Sequence, residues 1–225
     1  MQKRPIAALL FALLAAVPSA AQSAADIVTV GTVTAAPGAT VDIPVYIRDA
    51  SGTPLGLDQP PGSRIQSYAL KVNYSPASAV SAIIFTRGGI TAPLTPLFES
   101  SPSAPGTVSL LDTFQESTNL VPFTVNAPTP GNQVAVLHVS VSPLAPGGST
   151  ITLVLDSTLT QLANQNGTLT ETTTAGSLLL ANGAVNVTTS LTVPALSTWG
   201  MILLGGALLV FGIKAVSSND FLAKT

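Results

Sequence analysis

Residues 41–48, VDIPVYIR, decide the fold of this chain. Apolar residues occupy every second position, and polar or bulkier residues stand between them. Because successive side chains of a strand point to opposite faces, this alternation predicts a strand with one face in a core. Pro44 has no N–H to donate to a ladder, so we expect this strand to lie at a sheet edge or to carry a bulge.

The same two-residue period recurs along the middle of the chain, at residues 68–74, 134–141, 151–155 and 178–187. The turn dipeptide Asn182-Gly183 predicts that the last two strands form a hairpin. We find no convincing helical period between residues 26 and 188. The pattern predicts an all-β domain, a sandwich or a barrel, with two long loops at residues 51–63 and 91–106.

Composition excludes several classes of function. Charged residues make up 8% of the 225 residues, against roughly 25% in ordinary soluble domains. The net charge is −2 and the basic residues are scattered, so we expect no nucleic-acid partner. Cysteine is absent, which excludes disulfides, thiol catalysis and Cys-based metal sites. Low charge with many Thr, Val and Pro suits an extracellular β-sandwich better than a cytoplasmic enzyme.

The N-terminal end has the three parts of a secretory signal. Two basic residues precede an apolar stretch at residues 6–17, and small residues follow it. About twelve apolar residues is short for a membrane span, although an N-terminal anchor is the alternative. We predict a signal peptide over residues 1–21, cleaved by signal peptidase after Ala21, with Ser23 as a second possible site.

A second apolar run, at residues 199–213, lies near the C-terminus. As a helix it would reach about 22 Å, against a hydrocarbon core of roughly 30 Å, and would make a marginal span. Trp199 would sit at the outer interface, with Lys214 and Lys224 on the cytoplasmic side. The sequence therefore predicts a C-terminal transmembrane helix that anchors the exported protein in the inner membrane, facing the periplasm.

The motif just before this run, VPALSTWG at residues 193–200, resembles the IPTLSEWG signature of the IPTL-CTERM sorting signal. The matching residues are Pro194, Leu196, Ser197, Trp199 and Gly200, with Val193 as a conservative replacement. Ala195 and Thr198 depart from the signature, and the basic end is weak. The resemblance implies an exosortase-type sorting protease of a Gram-negative bacterium, in systems associated with exopolysaccharide and biofilm matrix. A plain membrane anchor is the alternative.

The middle of the chain resembles the cohesin family. The opening motifs within residues 30–45, VGTV, PGATV and IPV, are similar to its first strands and their Pro-Gly turn. Residues 65–76 resemble its third strand, and residues 131–153 its later strands. The resemblance implies a nine-stranded jelly-roll β-sandwich, related in fold to carbohydrate-binding modules, and implies binding rather than catalysis. We place this domain at residues 22–188, and the linker, sorting motif, helix and short tail at residues 189–225.

No constellation of residues points to an active site. His138, the only histidine, falls in a strand pattern and needs a placed acid and nucleophile to form a triad. Asp112 and Glu116 are the closest acidic pair in a loop context, but glycosidases need two carboxylates across a cleft. We assign no catalytic residue and expect no enzyme activity.

The remaining residues raise the question of two ligands, calcium and sugars. Asp42, Asp49 and Asp58 could offer oxygens to calcium, but no EF-hand spacing is present, so we assign no metal or cofactor. An exposed row of tyrosines would form a platform for sugar rings. Tyr68 and Tyr74 share the parity of apolar neighbours, which predicts core positions, and Tyr46 is the only other tyrosine.

Three functions are therefore hypotheses. The first is a non-enzymatic surface or matrix binding module, retained and sorted through its tail, with a polysaccharide or a surface protein as partner. The second is a carbohydrate-binding module acting on polysaccharide, which exposed aromatics on one sheet face would favour. The third is a hydrolase, which a cleft with two convergent carboxylates would favour.

The sorting motif gives a sharp prediction. Pro194 keeps the preceding residue extended, and Trp199 sets the depth of the motif at the interface. Replacing Pro194 and Trp199 by Leu should strengthen anchoring yet block maturation, followed by the size and location of the tagged protein in a host with the matching protease. If the double variant is processed and displayed like the wild type, the tail is a simple anchor.

Overall fold

A computed structural model describes residues 24–189 of the chain. The predicted signal peptide with its cleavage site, and the predicted sorting motif and transmembrane helix, lie outside the described residues. Between residues 24 and 189 the chain forms fourteen strand segments and two 3-10 helices, Ala77–Ala79 and Gly89–Thr91. No helix in this part of the chain is long and apolar enough to cross a membrane.

The strands, in chain order, are β1 (Asp26–Val30), β2 (Thr32–Ala35), β3 (Thr40–Arg48), β4 (Ser67–Ser75), β5 (Val80–Arg87), β6 (Phe98–Ser100), β7 (Ser103–Ala104), β8 (Thr107–Thr113), β9 (Asn132–Val141), β10 (Thr150–Leu155), β11 (Gln161–Ala163), β12 (Thr170–Glu171), β13 (Leu178–Ala181) and β14 (Gly183–Val187). The fourteen segments exceed the nine strands that the family resemblance implied, because several are short segments of two to four residues.

The strands form two sheets that pack on one apolar core. The first sheet has the order β13-β1-β3-β9-β5. In the second, β8 pairs with one edge of β4, while β10 and β11 share the other edge. From there β14 and β2 continue beyond β10, β12 continues beyond β11, and β6 and β7 pair with β8. This β-sandwich confirms the all-β prediction.

The inward faces of both sheets supply the core. Burial alternates along β4, where Tyr68, Leu70 and Val72 point inward, and along β3 and β9, where Ile43 and Leu137 are fully buried. Fully burying one such side chain contributes about 1.5–3 kcal/mol. The core positions predicted for two of the three tyrosines are confirmed, since both are less than a tenth exposed.

The expectation that β3 is an edge strand is wrong, because β3 lies between β1 and β9 in its sheet. Pro44 stands opposite Val136, and its carbonyl accepts the N–H of Gly31 at 2.9 Å. The register shifts between Val45 and Tyr46, so the bulge that the sequence allowed is present one residue further on. A residue without an N–H is tolerated where the ladder is already irregular.

The predicted hairpin at Asn182-Gly183 is also wrong, because β13 and β14 belong to different sheets. β13 pairs with β1 in the first sheet, and β14 pairs with β10 and β2 in the second. The chain crosses between the sheets at Asn182, whose side-chain oxygen accepts the N–H of Leu155 at 2.9 Å. Asn182 thus serves as a hydrogen-bonding corner rather than as a hairpin residue.

The first two strands make the same crossing at Gly31. β1 runs parallel to β13 and β2 runs parallel to β14, so both ends of the domain change sheets side by side. The crossings touch: a Cβ on Gly183 would stand 2.1 Å from the carbonyl oxygen of Gly31 and 2.7 Å from that of Val30. The sandwich therefore closes at a point where no side chain fits.

Gly183→Ala tests this closure. The added methyl must displace backbone, so we expect a loss of about 3 kcal/mol in the free energy of unfolding, measured by urea unfolding with circular dichroism. Gly176→Ala is the matched control, since its φ of +73° strains an alanine but its surroundings are open. The control should lose about 1–2 kcal/mol, and equal losses for the two variants would contradict the crowding argument.

Candidate functional site

Exposed apolar side chains gather on the outward face of β6, β8, β4 and β10, which we call the β4 face. Eight large apolar residues are strongly exposed among residues 24–189. Three of them lie on the β4 face, namely Phe98, Val154 and Leu159. Leu111 stands at the centre of this face, opposite Ala69.

The loop between β10 and β11 places Leu159 on this face. It crosses over Lys71, whose carbonyl accepts the N–H of Asp156 at 2.8 Å. The Asp156 carboxylate then caps the turn by accepting the N–H groups of Thr158 and Leu159 at 3.0 and 3.1 Å. The side chain of Leu159 is left about half exposed, at 51%.

Two shallow depressions join these residues into one strip. The first, of about 250 Å³, is lined by Ala69, Leu111 and Leu159, with a polar rim of Lys71, Ser109, Thr158 and Gln161. The second, of about 230 Å³, reaches Phe98 and shares Ala69, Leu111 and Gln161 with the first. The β4 face therefore carries a continuous apolar strip that runs from Leu159 to Phe98.

One ion pair lies beside the strip, and its charges cancel. Lys71 Nζ is 3.3 Å from Asp156 Oδ2, which also accepts a hydrogen bond from Asn73 at 3.3 Å. Burial alone would raise the pKa of Asp156, but the hydrogen bonds from Thr158, Asn73, Lys71 and Leu159 together lower it below 3.8. The carboxylate that shapes the loop thus remains ionised at neutral pH.

The other sheet brings His138 between an acid and a hydroxyl on its outward face. His138 Nδ1 is 2.6 Å from Asp42 Oδ1, and its Nε2 is 2.9 Å from Thr86 Oγ1. Hydroxyl, imidazole and carboxylate stand in the order of a nucleophilic triad. The Asp42 side chain is 68% exposed, however, and the three groups lie on open strand surface where nothing excludes water from a reaction.

Asp112 and Glu116 do not form an exposed pair of carboxylates. Asp112 is buried on the inward side of β8, opposite Tyr68. Burial raises the pKa of Asp112 to about 6. Glu116 instead accepts the N–H of Gly62 at 2.8 Å and lies 3.7 Å from Arg64. The arrangement needed for glycoside hydrolysis is therefore not built from these two residues.

Four acidic side chains surround the loop that follows β3, and each accepts one N–H of that loop. The donors are Ala50 to Asp26 at 2.8 Å, Gly52 to Asp58 at 3.0 Å, Leu55 to Glu171 at 2.8 Å and Leu57 to Asp49 at 3.0 Å. Of the three calcium candidates, Asp49 and Asp58 thus come together, while Asp42 pairs with His138 instead. Within residues 24–189, no three His, Asp or Glu side chains are arranged to hold a metal ion.

Three of these acids, Asp26, Asp49 and Glu171, are completely buried. Burial raises the pKa of each, and for Asp26 the hydrogen bond and charge of Glu171 add to it and bring the value to about 9. Sequence reasoning missed Asp26 and Glu171. A signal for Asp26 was available, because it shares the inward parity of Val28 and Val30.

The residues of the apolar strip were also missed. The other outward positions of β8 and β10 are Thr or Ser, and Leu111 and Val154 are the exceptions at that parity. Such exceptions are visible in the sequence, but only the pairing of β8 with β4, and the loop that carries Leu159, bring them onto one surface. The six matching positions of the sorting motif and the cleavage site at Ala21 lie outside the described residues and stay predictions.

Solved structures share this fold, whereas no family model and no curated protein matches the chain. The third ScaC cohesin of Acetivibrio cellulolyticus, in complex with the ScaB dockerin, superposes with a TM-score of 0.52 at 15% identity, over 73% of this chain and 99% of that one. The Coh-OlpA–Doc918 complex of Clostridium thermocellum gives 0.52 at 14% identity, over 72% and 99%. The solution structure of CaCohA2 from Clostridium acetobutylicum gives 0.51 at 20%, over 75% and 94%. At these identities the likeness establishes a cohesin fold.

Proposed function

We propose that this cohesin-fold domain is a non-enzymatic binding module whose β4 face holds a separate protein. The observation that carries the proposal is the apolar strip from Leu159 to Phe98. Contiguous exposed apolar surface, unlike single exposed residues, marks interaction sites on soluble domains. Because the ion pair of Lys71 and Asp156 beside the strip is internally neutral, the partner should offer an apolar surface rather than a charged one.

The form of the strip favours a protein over a small molecule. Its depressions, of about 250 and about 230 Å³, fall below the roughly 300–1,000 Å³ of typical ligand pockets. A shallow, nearly neutral strip suits another protein surface with a few protruding apolar side chains. The Acetivibrio and Clostridium thermocellum structures support this choice, since in both a cohesin of the same fold is held with a dockerin, a second protein module.

The carbohydrate-binding alternative lacks its expected platform in the described part of the chain. Tyr68 and Tyr74 are in the core, and Tyr46 is half-buried on the outward face of the other sheet. Phe98 is exposed on the β4 face, but one ring does not make a row for successive sugars. Protein binding is therefore the stronger proposal for this face.

The proposed setting of the module comes from the two ends of the sequence. The N-terminal signal over residues 1–21 would export the domain, and the C-terminal helix would retain it at the inner membrane, facing the periplasm. An exosortase-type protease would then recognise the motif at residues 193–200 and pass the domain to the cell surface or medium. The motif's association with exopolysaccharide systems supports a role in the biofilm matrix.

Site-specific crosslinking tests the protein-binding proposal. A photoreactive phenylalanine at Leu111 or Leu159 should crosslink a discrete protein in the producing bacterium, because both side chains stand on the strip. The same group at Ile84, which is 57% exposed on the outward face of the other sheet, is the matched control and should not capture that protein.

The captured protein, once purified, should bind the wild-type chain directly in a calorimetric titration. Leu159→Asp should weaken this binding by about thirtyfold, as a central apolar contact worth about 2 kcal/mol requires. Ile84→Asp should leave the affinity within about twofold of wild type. Equal capture from both faces, or binding of purified exopolysaccharide that Leu159→Asp alone abolishes, would refute the proposed partner class.

A further inference from the structure

Three fully buried carboxylates stand together without a basic partner. Asp26 begins β1, Glu171 ends β12, and Asp49 directly follows β3. The register that pairs Ile27 with Arg48 sets Asp26 beside Asp49. The ion pairs formed within residues 24–189 use other acids, so no Lys, Arg or His compensates this group. Buried charge without compensation is costly and must be neutralised in another way.

The hydrogen bonds of these carboxylates are only half complete. One oxygen of each accepts an N–H from the loop after β3, as described above. The second oxygens, Asp26 Oδ2, Asp49 Oδ1 and Glu171 Oε2, are buried without a partner. Asp26 and Glu171 hold N–H groups of the same loop, and each carboxyl acts on the pKa of the other as a hydrogen-bonding neighbour. Since an ionised carboxylate only accepts hydrogen bonds, a bond between two of them requires that one carries a proton.

We propose that Asp26 and Glu171 share one proton, so that the neutral carboxyl of Asp26 donates a hydrogen bond to Glu171. This hydrogen bond, which we call the clasp, holds β1, β12 and the loop after β3 together. The loop is fixed through its own N–H groups, because that of Ala50 donates to Asp26 and that of Leu55 donates to Glu171. Loss of the proton places two adjacent anions in the interior and releases the loop. This clasp is independent of the binding function proposed for the β4 face.

A proton explains the arrangement better than a cation does. Asp49, from the end of β3, acts on both Asp26 and Glu171, and the hydroxyl of Thr53 faces Glu171. Asp58, from the loop, acts on Asp49. These side chains do not form a group of three acids arranged to hold a metal ion. Asp58 turns instead towards the N–H of Gly52, and Asp49 towards that of Leu57.

The clasp sets the sign of the pH dependence of stability. In the folded protein burial and Glu171 raise the pKa of Asp26 from 3.8 to about 9. Between these two values the folded state keeps a proton that the unfolded state has lost. Stability from this group is therefore fully present below about pH 4, falls as the pH rises, and is lost above about pH 9.

Asp26→Asn mimics the protonated acid and tests the clasp, since its amide can donate permanently to Glu171. The folded wild type holds one proton that its unfolded state has lost, and the variant has no such difference. Between about pH 5 and about pH 8 the unfolding equilibrium constant of the wild type should therefore rise about tenfold per pH unit relative to that of the variant. Urea unfolding of the full chain in detergent measures both. Asp156→Asn is the matched control and should keep the wild-type slope, because the lowered pKa of Asp156 leaves it ionised throughout this range and its partner is Lys71. Glu171→Gln is the second variant if Asp26→Asn fails to fold.

Loop release is measured separately by subtilisin cleavage within residues 51–63. The wild type should become sensitive there near pH 9 and above, whereas Asp26→Asn should stay resistant. Millimolar CaCl2 or EDTA should leave the wild-type unfolding midpoint unchanged. Parallel slopes for the wild type and Asp26→Asn would overturn the proposal, and so would calcium stabilisation of the wild type that Asp26→Asn abolishes, since this would identify a cation site.

Discussion

The close passage of two chain crossings determines the form of this domain. At Gly31 and at Gly183 the chain moves from one sheet to the other, and the two points are in backbone contact. Because β1 and β2 run parallel to β13 and β14, the two ends of the domain are joined in both sheets at once. Parallel pairing between strands so distant in sequence closes the sandwich, but it also makes the fold dependent on long-range contacts.

Once the inward faces are committed to the core, the two outward faces differ in chemistry. The β4 face is an apolar strip, shaped by a turn that Asp156 caps. The opposite face carries polar cross-strand contacts, among them Asp42, His138 and Thr86. The polar face has the side chains of a catalytic triad without an enclosed site, and the β4 face offers an exposed apolar contact surface.

The buried acids show that the core is not uniformly apolar. Asp26, Asp49 and Glu171 take interior positions at one end of the sandwich, and the loop after β3 folds around them. Their cost is moderated by backbone N–H donors and by protonation, because a neutral carboxyl is far cheaper to bury than an anion. The same physical principle applies to Asp112 on the inward side of β8, where burial raises its pKa.

The alternation at residues 41–48 and its repeats determined, without any tertiary information, that the chain forms strands around a shared core, because the period of two is local. The predicted export and sorting signals likewise rest on sequence patterns alone. Tertiary structure decided which strands pair. Asn182-Gly183 has hairpin chemistry, yet its flanking strands join different sheets, because β13 pairs with β1 and β14 pairs with β2. The tertiary structure also decided the apolar strip and the cluster of buried acids. Leu111 comes close to Leu159, and Asp26 comes close to Glu171, only when strands far apart in sequence lie side by side.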